Sequence, residues 1–147
     1  HSYSSAASDV YKRQDLKISW VCLNDVAKFM VASLSNSAIK ADKIYVGGPE
    51  ILLGDEVAER FSRALNREIK FKSLDPKNFA GAMSKLVTGS EEYEDVSIYG
   101  GMAAFYTWYN EQNPSPLAID MESAYKLLNV TPTYFEDWIK QHDWNKV

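Results

Sequence analysis

The side chains able to carry chemistry are few, and their spacing limits what they can do. Cys22 is the only cysteine, and His1 and His142, the only histidines, stand at opposite ends of the 147 residues. That leaves neither a disulfide framework nor a thiolate metal cluster, and almost no ligands for zinc. Asp25, in the turn Asn24-Asp25-Val26-Ala27, reads as a helix N-cap rather than a site acid. Gly47-Gly48-Pro49-Glu50 is a candidate binding turn. Paired glycines at a strand end allow close approach of a ligand to the backbone, with Glu50 at the rim of a cleft. The same four residues are also ordinary turn chemistry. Tyr99, Met102 and Tyr106, with Phe105 and Tyr109, fall within reach of one helical face. They form either a lid that stacks on a flat apolar substrate or an aromatic core stripe. Lys70 and Lys72 read as the solvated side of a strand, Glu91-Glu92 and Glu94-Asp95 as a solvated helix start, and His142 as a helix-end cap.

These residues need elements to hold them. Residues 16–23 read as a short, largely buried strand, residues 43–46 as a second, and residues 68–74 alternate as a third with one wet face. Helical spacing follows Asn24-Asp25, and residues 55–65 carry the clearest apolar stripe, with Val57, Ala58, Phe61, Ala64 and Leu65. Asn66 stands where a left-handed residue should end that helix. Asp75-Pro76 opens another helix, closed by Gly89. A further helical stretch is expected over residues 92–111, weakened by Gly100-Gly101. Residues 121–128 and 134–142 close the chain as short helices. In the last of these, Phe135, Trp138 and Ile139 are expected to anchor the helix in a core. The order predicted is β-α-β-α-β-α-α-α-α, an α/β fold.

Hydrophobic residues at 46% and charged ones at 24% exclude a disordered or collagen-like chain. A net charge of −4 argues against a non-specific nucleic-acid binder. The longest uncharged run, residues 96–110, is too short and too polar to span a bilayer. No apolar leader segment follows the first residues, and a cytoplasmic setting is expected. Residues 1–14, HSYSSAASDVYKRQ, show neither helical nor strand periodicity and resemble translated adapter read-through. They are set apart as a non-native or disordered tail, with the domain at residues 15–147 and the parent protein expected to begin upstream.

Several strings occur in a telling order: Ile18-Ser19-Trp20-Val21 leading to Asn24-Asp25-Val26-Ala27, then Tyr45-Val46-Gly47-Gly48-Pro49-Glu50, then Ala64-Leu65-Asn66-Arg67. Thr131-Pro132-Thr133-Tyr134-Phe135-Glu136-Asp137-Trp138-Ile139 closes the set. Together they resemble the C-terminal part of the NmrA-like family of atypical short-chain dehydrogenases/reductases. Asn66 departs from the glycine usual there, though asparagine tolerates the same left-handed turn.

The resemblance implies the C-terminal substrate-binding lobe of a Rossmann-type protein, with the N-terminal nucleotide-binding unit missing. It implies NAD or NADP in the parent and none on this chain alone. The partners implied are the N-terminal Rossmann half and a small apolar or quinone-like substrate. Gly47, Gly48, Pro49, Glu50, Tyr99, Met102 and Tyr106 would then line the substrate cleft. The parent is either an NAD(P)H-dependent oxidoreductase or a non-catalytic NAD(P)-sensing regulator; an unrelated interaction module is the third reading. No G-x-G-x-x-G turn and no Tyr-x-x-x-Lys pair occurs, so no catalytic residue is assigned.

Overall fold

The computed structural model describes residues 16–37, 39 and 43–144; the expected tail at residues 1–14 lies outside them. Its elements are β1 (Ile18–Ser19), α1 (Leu23–Ser35), β2 (Ile51–Leu52), α2 (Gly54–Leu65), α3 (Pro76–Thr88), α4 (Ile98–Asn110), α5 (Glu122–Leu128) and α6 (Phe135–Lys140). The expected α/β lobe of a Rossmann-type protein is therefore corrected. Among the described residues the chain is mostly helical, and its sheet is one antiparallel ladder pairing Ile18 with Leu52 and Ser19 with Ile51.

The physical reason lies in the two other expected strands. Alternation reports which way side chains face; a strand also needs a neighbour's N–H and C=O groups. Residues 43–48 and 68–75 form no ladder. The N–H of Ile69 instead donates to Ser62 Oγ at 2.9 Å, so a helix side chain replaces the missing strand. At the other segment the Tyr125 hydroxyl donates to the Gly47 carbonyl at 3.1 Å, and the Gly48 N–H donates to the Ser19 carbonyl at 3.2 Å.

The chain divides into two compact units, one of Asp15–Phe71 with Leu117–Val147, the other including Lys72–Pro116. In the first, α1 packs on α5 and α2 on α6. Phe29, Met121, Tyr125, Leu128 and Val130 form its main buried cluster, and Ile139 of α6 is fully buried. Ser19 is buried and bridges residue 119, donating to the Ile119 carbonyl and accepting from its N–H, both at 2.8 Å. Asn66 ends α2 at φ 50°, the left-handed conformation its position predicts. Asn129 ends α5 in the same way at φ 51°.

In the second unit α3 packs against α4. Asp75 caps α3 by accepting from the N–H groups of Lys77 and Asn78, and Gly89 closes it at φ 82°. The expected helix over residues 92–111 begins only at Ile98. Ser97 accepts from the Gly100 N–H and donates to the Glu94 carbonyl, so the acidic run is a loop before the helix. Buried positions are small where the helices meet, with Ala80, Gly81 and Ser84 on α3 and Gly100 and Ala103 on α4. No helix among the described residues is long and apolar enough to cross a membrane.

Candidate functional site

A cleft of about 750 Å³ lies within the first unit. Its walls come from the segment entering α1 (Trp20 to Asn24), from Val57 and Phe61 of α2, and from Phe135, Trp138, Gln141 and His142 at α6. The aromatic wall is continuous. Phe135 meets Trp20 edge-on at 6.2 Å between ring centroids, Phe61 edge-on at 5.7 Å and Trp138 tilted at 5.9 Å. Such edge-to-face sets fix ring orientation while leaving ring faces available. Polar groups join the wall at Asn24, Thr133, Gln141 and His142. His142 Nδ1 lies 2.7 Å from the Trp138 carbonyl, which can only accept. Nδ1 therefore carries the hydrogen and donates it to that carbonyl.

Two carboxylates, the buried Asp25 and the partly buried Glu50, hold these walls in register. Asp25 is 1% exposed and accepts from the Thr133 N–H at 2.6 Å, the Thr133 hydroxyl at 2.9 Å and Lys28 at 2.8 Å. Burial pushes its carboxyl up, but the Lys28 ammonium and the two Thr133 donors outweigh that and hold it below the usual carboxylate range. Glu50 accepts from the Phe135 N–H at 2.8 Å and from Arg60 Nε at 3.1 Å. Both acids thus fasten the start of α6, one to α1 and the other to α2 and the turn after Pro49. Tyr125, beneath Gly47, has its phenol pushed up to about 12 by burial and then by the Asp25 charge, so it remains a donor.

The residues expected at the site fall in both units. Gly47, Gly48, Pro49 and Glu50 lie in the first, and Tyr99, Met102 and Tyr106 on α4 in the second. A Cβ on Gly48 would stand 1.5 Å from the Trp20 carbonyl oxygen, and one on Gly47 would stand 2.9 Å from Ser19 Cβ. The close approach those glycines permit is therefore made by the chain's own β1 segment. Pro49 borders a smaller groove of about 330 Å³ with Ile119, Tyr125 and Tyr134. On α4, Tyr109 is buried with its hydroxyl 2.7 Å from Ser115 Oγ. Tyr106 meets Phe79 edge-on at 5.4 Å, and Tyr99 packs on Tyr93 at 6.4 Å. Of these contacts, Tyr106–Phe79 joins α4 to α3, while Tyr93 and Ser115 belong to the loops before and after α4.

Asp25 is not the cap expected of it. The N-cap of α1 is Cys22, and the carboxylate is turned toward Thr133 instead. Of the expected α6 anchors only Ile139 is fully buried, while Phe135 and Trp138 face the cleft. Sequence reading missed the cleft because its walls come from residues 20–24, 57–61 and 133–142. The available signal was the excess of aromatics at Trp20, Phe61, Phe135 and Trp138 beyond what those elements bury. Among the described residues no group of three or more His, Cys, Asp or Glu side chains could hold a metal ion. Comparison with protein-family models, with curated proteins and with solved structures finds no match.

Proposed function

We propose that the α1–α2–α6 cleft binds a flat, apolar small molecule bearing one or two oxygens, of the quinone-like class, in a cytoplasmic protein related to NmrA-like reductases. The observation that carries this is the cleft itself: a volume suited to two or three fused rings, walled by four aromatic side chains. Ring faces of Trp20 and Trp138 stack on the ligand, and the side-chain amide of Gln141 donates to one of its oxygens. The free thiol of Cys22 in the same wall fits a reducing compartment. The ordered strings quoted above support the reductase ancestry, with the nucleotide supplied by another part of the parent.

The test is a titration with 2,3-dimethyl-1,4-naphthoquinone, whose substituted ring offers Cys22 no open position for addition. Trp20 and Trp138 report binding by fluorescence quenching, expected to saturate at micromolar probe. Trp20→Ala, at a half-exposed position, should weaken binding about tenfold, equivalent to about 1.4 kcal/mol of stacking and burial. Quenching that rises linearly without saturation, or an affinity unchanged in Trp20→Ala, overturns the assignment.

A further inference from the structure

The buried side of α1 is set by Asp25, Phe29 and Ala32, yet its opposite side is also apolar. Leu23 is 85% exposed, Met30 65%, Val31 66% and Leu34 89%, with Ala27 exposed between them. Leu23, Ala27, Met30 and Leu34 are spaced four, three and four, which is the repeat that lays a straight seam along a helix for a second helix to fill. The only charged side chains of α1, Asp25 and Lys28, pair with each other at 2.8 Å away from that seam.

We infer that this seam pairs with the α1 seam of a second copy of the chain, antiparallel about a two-fold axis level with residues 28 and 29. The spacing of the seam reads the same in both directions, with leucine at either end. Under that symmetry Leu23 faces Leu34 of the second copy, and Ala27 faces Met30, so large meets large at the ends and small meets large at the centre. A parallel pairing would set Ala27 against Ala27 and leave a gap. Antiparallel helices also align their dipoles favourably. On a chain of net charge −4, an uncharged seam lets two copies meet without like charges in contact. The helix is about 20 Å long, so the contact belongs to the small, reversible class of interface, with a dissociation constant on the order of 10 µM.

Sedimentation velocity on the full chain from 1 to 200 µM should show a concentration-dependent shift from monomer to dimer. Leu23→Glu and Leu34→Lys should each raise the dissociation constant about a hundredfold, because symmetry places every change twice in the interface. The double variant Leu23→Glu/Leu34→Lys should recover most of the loss. Those positions lie about 16 Å apart along one helix, so rescue requires a second copy. A second measurement does not depend on charged variants. In a Cys22→Ser background, an equal mixture of Ala27→Cys and Met30→Cys chains should form disulfide-linked dimers with diamide well beyond either chain alone. Monomer at every concentration, no rescue in the double variant, or equal cross-linking in mixed and single preparations overturns the pairing. Leu23 and Cys22 also border the cleft, so quinone titration is made on the unmodified chain and on Leu34→Lys, which lies outside it, and either idea can fail without the other.

Discussion

In the unit of α1, α2, α5 and α6, Asp25 reaches Thr133 across 108 residues of chain and Glu50 reaches Phe135 across 85. In the α3–α4 unit, Tyr109 meets Ser115 across six residues and Ser84 donates to Glu92 across eight. The first is stitched by carboxylates, one buried and one partly buried, between distant segments, the second by small residues and aromatic edges within one stretch. Local contacts close short loops at little entropic cost, whereas the distant ones form only after a long loop has been closed. The cleft belongs to the stitched unit. Its walls stay aligned only while Asp25 and Glu50 hold the start of α6.

Breaking the hydrophobic side of that stitching should have the largest effect. Phe29 is 1% exposed and packs on Tyr125 with the rings tilted and 4.9 Å between centroids, in the α1–α5 cluster. Phe29→Ala should lower stability by about 3–5 kcal/mol in urea unfolding. Phe79→Ala in the α3–α4 unit should lose less, because Phe79 is only partly buried. Equal losses would contradict this ordering.

Asp25→Ala comes next. It strands the Thr133 N–H and hydroxyl together, and about 3 kcal/mol is expected from two unsatisfied buried donors. The pH dependence has a definite sign. The folded carboxyl titrates below its unfolded value, so its contribution is present above about pH 4 and is lost as acid takes the pH down through the folded pKa. Unfolding at pH 7 and pH 3 should therefore show a smaller acid penalty in Asp25→Asn than in the wild type. Matching acid penalties would remove Asp25 from the stitching.

How much of this could be read in the sequence follows the same division. Asp75-Pro76 and Gly89 mark both ends of α3, and the α2 stripe with Asn66 marks its helix almost to the residue, because caps and periodicity are local. The strands over 43–46 and 68–74 misled because alternation does not say whether a partner is present, and Ser62 takes that role for Ile69. Asp25 and Glu50 looked like a cap and a rim acid. Their real partners, Thr133 and Phe135, lie too far along the chain for any spacing to reveal. The glycine pair at 47–48 was expected to let a ligand approach; the close approach there is made by the chain's own Ser19 and Trp20, a pairing no local spacing announces.

The α3–α4 unit can be sharpened with two neighbouring glycines. A Cβ on Gly100 would stand 2.1 Å from the Asp95 carbonyl oxygen, while one on Gly101 meets nothing within 4 Å. Gly100→Ala should destabilise by about 1–3 kcal/mol through forced displacement of the loop before α4. Gly101→Ala should stabilise by about 0.5–1 kcal/mol, since alanine loses less entropy in a helix. Opposite shifts in thermal midpoint for adjacent positions would establish that α4 is held by close packing. Two shifts of the same sign would contradict it.

The smallest expected effect concerns the dinucleotide. Pyrophosphate needs free N–H groups at a helix N-terminus, with a glycine turn that lets it come close. Glu56 already accepts from the Leu53 N–H at the start of α2, Asp75 occupies the start of α3, and Ser97 that of α4. At α1 the buried Asp25 carboxylate lies in the first turn, where it opposes a second anion. Among the described residues, none of these four helix starts therefore presents a free phosphate cradle, although the first unit has a cleft for flat rings. Calorimetric titration of the chain with NADH and NADPH should give no saturable heat at millimolar cofactor. Micromolar binding that survives Trp20→Ala would place a nucleotide site away from the aromatic cleft. Micromolar binding lost in Trp20→Ala would make the cleft itself the nicotinamide or adenine pocket.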